Sequence, residues 1–486
     1  MNDIIKNNKT YQFNLLTSKT HYITNIHFVG IGGIGMSGIA EILLKQGYNI
    51  SGSDLVPTHI TQKLISLGAK IFFNHSKKNV KNVHIVVTSS AISLSNPEII
   101  KAKSLNIPIM SRGKMLSEII RYKYGIAVSG THGKTTTSSI IFSIFHNSFL
   151  DPTLITGGYL KELNNSIKLG KSPYYIVEAD ESDASLLYLK PIIAVITNIN
   201  DDHLENYNGN FNNLKLTFIK FIQNLPNYGT AVICIDNKNI RNIMSLIKCN
   251  VITYGFSEDS DIKINKYKQN KFSSHFKIVK NNKQILKIIL NIPGKHNALN
   301  AAAAIAVAIQ TKISNTNIFT SLKNFKGVER RFELLGNVSI NYPKNKKNKI
   351  IIIQDYGHHP NEILESINTA RSGWPKKKLI MIFQPHKYTR THYLFEDFIK
   401  ILKKVDELFL LNLYSANENV ILGSDSFALY KELYKHKKES VNLILEHKKM
   451  FKMLKSKLSG NDLLLIQGAG NINIIVKKHI IKNFNI

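Results

Sequence analysis

The sequence predicts an α/β protein made of three domains. At 486 residues the chain is long enough for about three domains of ordinary size. Short apolar runs that are typical of buried strands alternate with helical segments along its length, which indicates parallel sheets with crossover helices. We place the domain boundaries at 1–124, 125–327 and 328–486, with Gly327 as the hinge into the last domain.

A glycine-rich turn lies near the start of the first domain. The strand Ile26–Val29 runs into Gly30-Ile-Gly32-Gly33-Ile-Gly35 and then into a helix. Glycines allow the backbone to approach a pyrophosphate, which then lies on the helix N-terminus. The next strand ends at Asp54, where such folds place a carboxylate near a ribose. The pattern predicts a Rossmann-like domain that binds a nucleotide-like ligand; a tight turn without a ligand is the alternative. The predicted ligand contacts are Gly30, Gly32, Gly33, Gly35 and Asp54.

A second glycine-rich turn opens the central domain. The strand 125–129 is followed by Gly130-Thr131-His132-Gly133-Lys134-Thr135 and a helix that continues to Phe145. The amides of such a turn can cradle phosphates, Lys134 can reach the β and γ oxygens, and the Thr135 hydroxyl can bind Mg²⁺. Thr136 adds a further hydroxyl, and Val128 stands where the strict phosphate-loop pattern has its first glycine. The pattern predicts a central P-loop-type ATPase domain.

Acidic residues follow the next strand-like run of the central domain. Glu178 ends that strand and begins a six-residue stretch with four carboxylates, in a chain that has only 33 acidic residues. A carboxylate at a strand end beside a phosphate loop is a usual ligand for a hard cation. His203 follows the next strand and could approach the same metal. A solvated acidic loop and a structural histidine are the alternatives at these two places.

The composition argues against several classes of function. Two phosphate loops imply two phosphorylated ligands, whereas a nicotinamide-dependent oxidoreductase needs one. The net charge is +31, but the basic residues are mostly lysines scattered along the whole chain, so no nucleic-acid partner is predicted. The sequence has no apolar run long enough for a membrane span. A polar start and only two cysteines favour the cytoplasm.

Seven motifs in one order resemble the Mur ligases, which build the peptide stem of bacterial peptidoglycan. They extend over residues 25–475 together with the first glycine-rich turn. The resemblance implies a UDP-sugar-binding domain, a central ATP-binding domain and a C-terminal Rossmann-like domain that binds the amino acid and closes over it. The motifs are Gly130–Thr135, Glu178–Ser185, Thr197–His203, Pro293–Ala303, Arg330–Glu333, Asp355–Pro360 and Phe383–Thr391.

The resemblance also implies roles for individual residues. Asn297 and Asn300 would contact the adenine, and Arg331 and Asp355 would reach ATP from the third domain. Lys134 would hold the ATP phosphates, and the metal ligands would be Thr135, Glu178 and His203. The remaining ATP contacts would come from the loop residues Gly130, Thr131, His132, Gly133 and Thr136. The groups at the reacting centre would be Lys134, His358, His386 and Arg390.

The activity implied is an ATP- and Mg²⁺-dependent ligation. It would join L-alanine to the carboxylate of UDP-N-acetylmuramate through an acyl phosphate, in a monomer or weak homodimer. A related ligase that attaches a preformed peptide to the same sugar nucleotide is the nearest alternative. A nicotinamide-dependent oxidoreductase is the alternative from another class, and it would leave the second loop unexplained.

Overall fold

The computed structural model describes residues 17–18, 21–89, 91–340 and 348–484. Besides a short antiparallel pair, β1 (Thr17–Ser18) and β2 (His21–Tyr22), it contains three larger sheets that fall one in each predicted domain. The α/β class predicted from the sequence is confirmed. Within the described ranges, no helix has both the length and the hydrophobicity that a membrane crossing requires.

By their internal contacts the described residues form two compact units. The first unit comprises the residues up to Gly157 together with Asn165–Thr253, and the second comprises Gly158–Asn164 together with the residues from Tyr254 onward. The predicted central domain, 125–327, therefore contributes residues to both units.

The first sheet has the strand order β5-β4-β3-β6-β7, and every pairing in it is parallel. Its central strands are buried on both faces, which is why they are continuous apolar runs in the sequence. The elements are β3 (Asn25–Val29), α1 (Ile34–Lys45), β4 (Asn49–Ser53), α2 (His59–Ser66), β5 (Lys70–Phe72), β6 (Ile85–Thr88), α3 (Pro97–Ser104), β7 (Ile109–Ser111) and α4 (Arg112–Ile120).

The rest of the first unit is a second sheet, in which β8 pairs in parallel with β11 on one side and β12 on the other. The carboxyl ends of these strands therefore lie at one edge of the sheet, and the phosphate loop follows the middle strand. The elements are β8 (Tyr124–Ser129), α5 (Lys134–Asn147), β9 (Thr153–Leu160), β10 (Asn165–Lys168), β11 (Tyr174–Glu178), β12 (Ile193–Ile196), α6 (Phe211–Gln223), β13 (Thr230–Cys234), α7 (Lys238–Arg241) and β14 (Asn250–Gly255).

The second unit contains an antiparallel meander that was not predicted from the sequence. The strands β15 (Ile262–Asn270), β16 (Ser273–Lys280) and β17 (Lys283–Leu290) pair in order. In β16 buried residues alternate with half-buried ones, including lysines, so no continuous apolar run marks it. The helix α8 (Lys295–Gln310) packs on β15 and β16, and its run of buried alanines allows a close approach. It is followed by α9 (Asn315–Asn324).

The last sheet has the strand order β18-β19-β23-β20-β21-β22, with β18 antiparallel to an otherwise parallel set. Apolar cores, which include Trp374 on one side and Met450 on the other, cover its two faces. The elements are β18 (Glu333–Ile340), β19 (Asn348–Asp355), α10 (Pro360–Gly373), β20 (Lys378–Phe383), α11 (Tyr388–Tyr393), α12 (Phe395–Leu402), β21 (Glu407–Leu411), α13 (Ser426–Lys437), β22 (Val441–Ile444), α14 (His447–Lys457), β23 (Asp462–Gln467) and α15 (Ile472–Val476).

Candidate active site

The first glycine-rich turn connects β3 to α1 as predicted. The backbone amides of Gly30 and Ile31 donate to the Ser53 carbonyl at 2.8 and 3.0 Å, which ties the turn to the end of β4. The residue that caps α1 is Gly33, so no side chain bonds the first amides of the helix. Amides left in this way at a helix N-terminus favour an anion.

Asp54 contacts the same turn directly. One carboxylate oxygen accepts the Gly32 amide at 2.8 Å, and the other accepts the Leu55 amide at 2.8 Å. The carboxylate therefore holds the shape of the glycine-rich turn. Contact with a ribose stays a prediction for this residue.

The second turn is held by the segment that follows β12. The amides of Thr131 and His132 donate to the carbonyl and the side-chain oxygen of Asn198, at 3.1 and 2.8 Å. Gly130 has a φ of +133°, and a Cβ there would lie 2.1 Å from the Thr197 hydroxyl oxygen, so only glycine fits. Since these two amides are used within the protein, the amides available to a phosphate are those that open α5 from Lys134 onward.

Lys134 bonds to the carboxylate of Glu181, which the sequence did not predict as a site residue. Its ammonium nitrogen lies 2.8 Å from both carboxylate oxygens of Glu181 and 2.8 Å from the Gly130 carbonyl oxygen. Burial would lower the pKa of Lys134, but the charges of Glu181 and Asp180 outweigh it and raise that pKa above its usual value. The lysine is therefore a fixed positive charge at neutral pH.

Glu178 lies at the end of β11 beside the strand β9. Its Oε1 accepts hydrogen bonds from the Thr156 hydroxyl and, at 3.0 Å, from the Gly157 amide. His203 precedes a short 3₁₀ turn, with its Nε2 3.6 Å from Asp202 Oδ2. In the part of the chain that the structure describes, no three His, Cys, Asp or Glu side chains form a metal cluster.

Arg112, which begins α4, is a further charged residue that the sequence reading missed. Its guanidinium lies 3.0 Å from Asp180 Oδ2 and 3.6 Å from Asp183 Oδ2. Burial would raise the pKa of Asp180, but the neighbouring Lys134 and Arg112 outweigh it and hold that pKa below its usual value. Nothing in the local sequence around Arg112 indicates this contact, because it joins residues 68 positions apart.

The first glycine-rich turn and Lys134 of the second line one cavity. It has a volume of about 390 Å³ and lies wholly within the first compact unit. The sequence treats the two turns as separate ligand sites, whereas in the fold residues of both line a single space. Six of the residues that line it are Gly33, Gly35, Arg112, Lys134, Glu178 and Asp183.

In the second unit, Arg331 lies just before β18, and Asp355 is the last residue of the neighbouring strand β19. Arg331 lies 3.3 Å from Glu362 and stacks over the Tyr356 ring at 5.2 Å from its centroid. Both oxygens of Asp355 accept hydrogen bonds from the protein, including the Phe332 amide at 2.8 Å. The carboxylate thus fixes the backbone around the arginine, and its contact with ATP stays a prediction.

The predicted amino-acid-binding residues form a cluster in the same unit. The rings of His358 and His386 lie 5.4 Å apart, and His386 stacks on Tyr414. Burial, together with the charge of the nearby Arg390, lowers the pKa of His358 to about 3 and that of His386 to about 4. Both imidazoles are therefore neutral at pH 7 and are weak bases in the folded protein.

Asn297 and Asn300 lie in the first turn and a half of α8, also in the second unit. The Asn300 amide donates to the Asn297 side-chain oxygen at 3.2 Å, and the Asn297 amide donates to the Pro293 carbonyl at 2.6 Å. Both residues are buried and share one face of the helix, as their spacing predicts. Their contact with adenine stays a prediction.

Comparison with known proteins accounts for this arrangement. Three family models match consecutive parts of the chain: "Mur ligase family, catalytic domain" over residues 25–124, "Mur ligase middle domain" over 128–308 and "Mur ligase, glutamate ligase domain" over 330–470. A UDP-N-acetylmuramate–L-alanine ligase of Buchnera aphidicola subsp. Baizongia pistaciae is 60% identical over 478 residues, which is 98% of each chain.

Solved structures show the same fold. A UDP-N-acetylmuramate–alanine ligase from Thermotoga maritima aligns with a TM-score of 0.79 and 27% identity, over 95% of this chain and 99% of that one. A murein peptide ligase from Psychrobacter arcticus aligns with a TM-score of 0.67 and 20% identity over the same shares. The family models, the relative and the matching fold lead to one conclusion: this chain belongs to the Mur ligase family.

Proposed function

We propose that this protein is an ATP-dependent ligase that joins L-alanine to the carboxylate of UDP-N-acetylmuramate in peptidoglycan precursor synthesis. The observation that carries the proposal is the single cavity lined by the first glycine-rich turn and by Lys134 of the second, because a sugar nucleotide bound there would lie beside the phosphate loop. The identity of 60% to an L-alanine ligase over nearly the whole chain supports the choice of substrates.

The first chemical step brings two anions together and needs positive charge. The substrate carboxylate attacks the γ-phosphorus of ATP, which gives an acyl phosphate and ADP. Lys134 is suited to this step because its charge is fixed and it lies at the start of α5, beside the amides that can bind phosphate oxygens. On ATP binding, the ammonium group of Lys134 would leave Glu181 and bond to the phosphate oxygens.

The residues around Glu178 fit a magnesium ion. The Glu178 carboxylate and the Thr135 hydroxyl offer oxygen ligands, and Mg²⁺ commonly takes few protein ligands and completes its shell with water and phosphate. We assign Thr135, Glu178 and His203 to the metal. When bound, Mg²⁺ would neutralise phosphate charge during transfer.

The second step needs a base for the amine of L-alanine. The amine attacks the acyl carbon, phosphate leaves, and one ammonium proton must be removed beforehand. His358 and His386 are neutral at pH 7 and can hydrogen-bond the amine, while water takes the proton, because pKa values of about 3 and 4 make both imidazoles weak bases. Arg390 suits the carboxylate of the amino acid, because a guanidinium binds a carboxylate bidentately.

The remaining assignments follow the family. We place the domain boundaries at 1–124, 125–327 and 328–486, and the adenine contacts at Asn297 and Asn300, with Arg331 and Asp355 as ATP contacts from the last domain. The family models that match 25–124, 128–308 and 330–470 support these boundaries. We also propose a cytoplasmic monomer or weak homodimer without a nucleic-acid or membrane partner.

A phosphate-release assay with purified protein tests the proposal. Release of phosphate from ATP should require both UDP-N-acetylmuramate and L-alanine, and a panel of amino acids should rank L-alanine first. NAD and DNA should have no effect. Turnover with a preformed peptide in place of L-alanine would assign the protein to the peptide-attaching branch, and turnover without any sugar nucleotide would overturn the proposal.

A further inference from the structure

Arg112 and Lys134 are the two basic residues that line the cavity. Lys134 belongs to the turn that the proposed function assigns to ATP. Arg112 comes from the first domain and lies across the first turn of α1: a Cβ built on Gly35 would lie 3.1 Å from its Cδ and from one guanidinium nitrogen. The absence of a side chain at Gly35 is what lets the arginine lie there.

Arg112 forms ion pairs, but its side chain remains partly exposed to solvent. Its ion-pair partners Asp180 and Asp183 have side chains that are 34% and 27% exposed, and the arginine side chain itself is 21% exposed. A partly solvated ion pair contributes little net stability. An incoming ligand with more negative charge can therefore replace the two aspartates at modest cost.

We infer that Arg112 binds the diphosphate of the sugar nucleotide, exchanging its ion pairs with Asp180 and Asp183 for phosphate oxygens. The inference rests on the proposed function. The position selects the diphosphate over the substrate carboxylate. The carboxylate must meet the phosphate being transferred, which Lys134 is proposed to hold, whereas Arg112 lies against Gly35 of the first glycine-rich turn. A planar guanidinium can bond two oxygens of a phosphate at once.

Calorimetric measurement of UDP binding to the Arg112→Gln variant tests the inference. We expect a loss of affinity for UDP of about 10- to 100-fold, the usual value of hydrogen bonds to a charged group. UDP-N-acetylglucosamine, which lacks the carboxylate, and UDP-N-acetylmuramate should lose affinity by the same factor. A loss confined to UDP-N-acetylmuramate would assign Arg112 to the carboxylate and overturn the inference. Arg112→Lys should lose less than Arg112→Gln, because it keeps the charge.

Arg121→Gln is the matched control. Arg121 caps the other end of the same helix, α4, and its partner Glu118 lies on that helix at 2.6 Å. The variant should bind UDP as the wild type does. If both arginine variants weaken binding equally, the effect is one of net charge and the inference fails.

Asp183→Asn separates ligand binding from a structural role of the ion pair. Loss of this competing carboxylate should tighten UDP binding a few-fold, and only while Arg112 is present. If the ion pair serves to brace the fold, Asp183→Asn should instead weaken binding as Arg112→Gln does, and that result would refute the inference.

The outcomes also separate this inference from the proposed function. A wild type that releases phosphate with UDP-N-acetylmuramate and L-alanine, while Arg112→Gln binds UDP normally, would refute the inference alone. A wild type that neither binds UDP nor releases phosphate would refute both.

Discussion

Arg112 and Lys134, the two cations of the cavity, are paired with carboxylates of one short segment, residues 180–183. The sequence marked this segment as part of an acidic stretch that begins at Glu178, without a role for each carboxylate. In the fold, each carboxylate has its own part: Glu181 bonds to Lys134, and Asp180 and Asp183 bond to Arg112. Individual charges at this site therefore influence folding stability as well as ligand binding.

Lys134→Gln should lower kcat/KM by roughly 10³-fold, because a fixed charge beside the transferring phosphate is lost. It should also lower the free energy of unfolding by about 2–4 kcal/mol, since Glu181, whose side chain is only 2% exposed, loses its partner. Steady-state phosphate release and urea denaturation measure the two effects.

Lys134→Gln/Glu181→Gln serves as the control. The double variant should recover most of the lost stability, because neither group is then charged, and should stay inactive. Recovery of activity in the double variant would contradict the assignment of Lys134 to phosphate binding.

The low pKa values of His358 and His386 make stability depend on pH. The folded protein resists protonating them down to about pH 3 and pH 4, whereas the unfolded chain binds these protons near pH 6.5. The unfolded state thus takes up more protons as pH falls, and stability decreases. We expect a loss of about 1–2 kcal/mol between pH 6.5 and 5.5.

Urea denaturation at pH 7.5, 6.5 and 5.5 measures this loss. His358→Asn/His386→Asn should flatten the dependence over that window. The residual slope would come from His146 and His447, whose pKa values burial also lowers. An unchanged slope in the double variant would show that the two site histidines are not held neutral by the fold.

Among the structural elements, α5 shows how local sequence can conflict with the fold. The helix ends in a motif in which the Phe149 amide bonds to the His146 carbonyl and the Leu150 amide to the Phe145 carbonyl, both at 3.1 Å. The residue at this place adopts a left-handed conformation and is usually glycine. Here it is Phe149, with a φ of +62° and a side chain that is 94% exposed.

Phe149→Gly should stabilise the protein by about 1 kcal/mol, because glycine adopts this conformation without steric cost. The midpoint of thermal unfolding measures the effect. Phe149→Ala is the control, because it removes the exposed ring but keeps a Cβ and thus the steric cost of the left-handed backbone. It should give little of the stabilisation expected for Phe149→Gly. Equal stabilisation by both variants would attribute the effect to the ring instead.

At the scale of the whole molecule, the net charge of +31 should affect how fast charged substrates reach the protein. A positive surface attracts polyanionic substrates, and salt screens this attraction over about 10 Å at 0.1 M. The kcat/KM for UDP-N-acetylmuramate should therefore fall several-fold between 20 and 200 mM KCl. The kcat/KM for L-alanine, which carries no net charge, should change little. Equal salt dependence for the two substrates would indicate an effect on the enzyme itself.

The sequence predicted the parallel strands β3 and β8 to within one residue. Most residues of these strands are buried, so a largely apolar run marks each of them. It missed β15, β16 and β17, in which one face is half exposed and rich in lysine. The alternation of apolar and polar residues is harder to recognise in these strands, because lysine is frequent along the whole chain and so does not mark an exposed strand face.

The sequence by itself determined the two glycine-rich turns, the α/β class and the family. A turn is encoded by consecutive residues, so its backbone conformation can be read locally. Only the tertiary structure decided that residues of both turns line one cavity, that Glu181 pairs with Lys134 and Arg112 with Asp180, and that His358 and His386 stay neutral. Each of these depends on burial and on contacts between residues far apart in the chain, and a linear pattern of residues does not encode such distances.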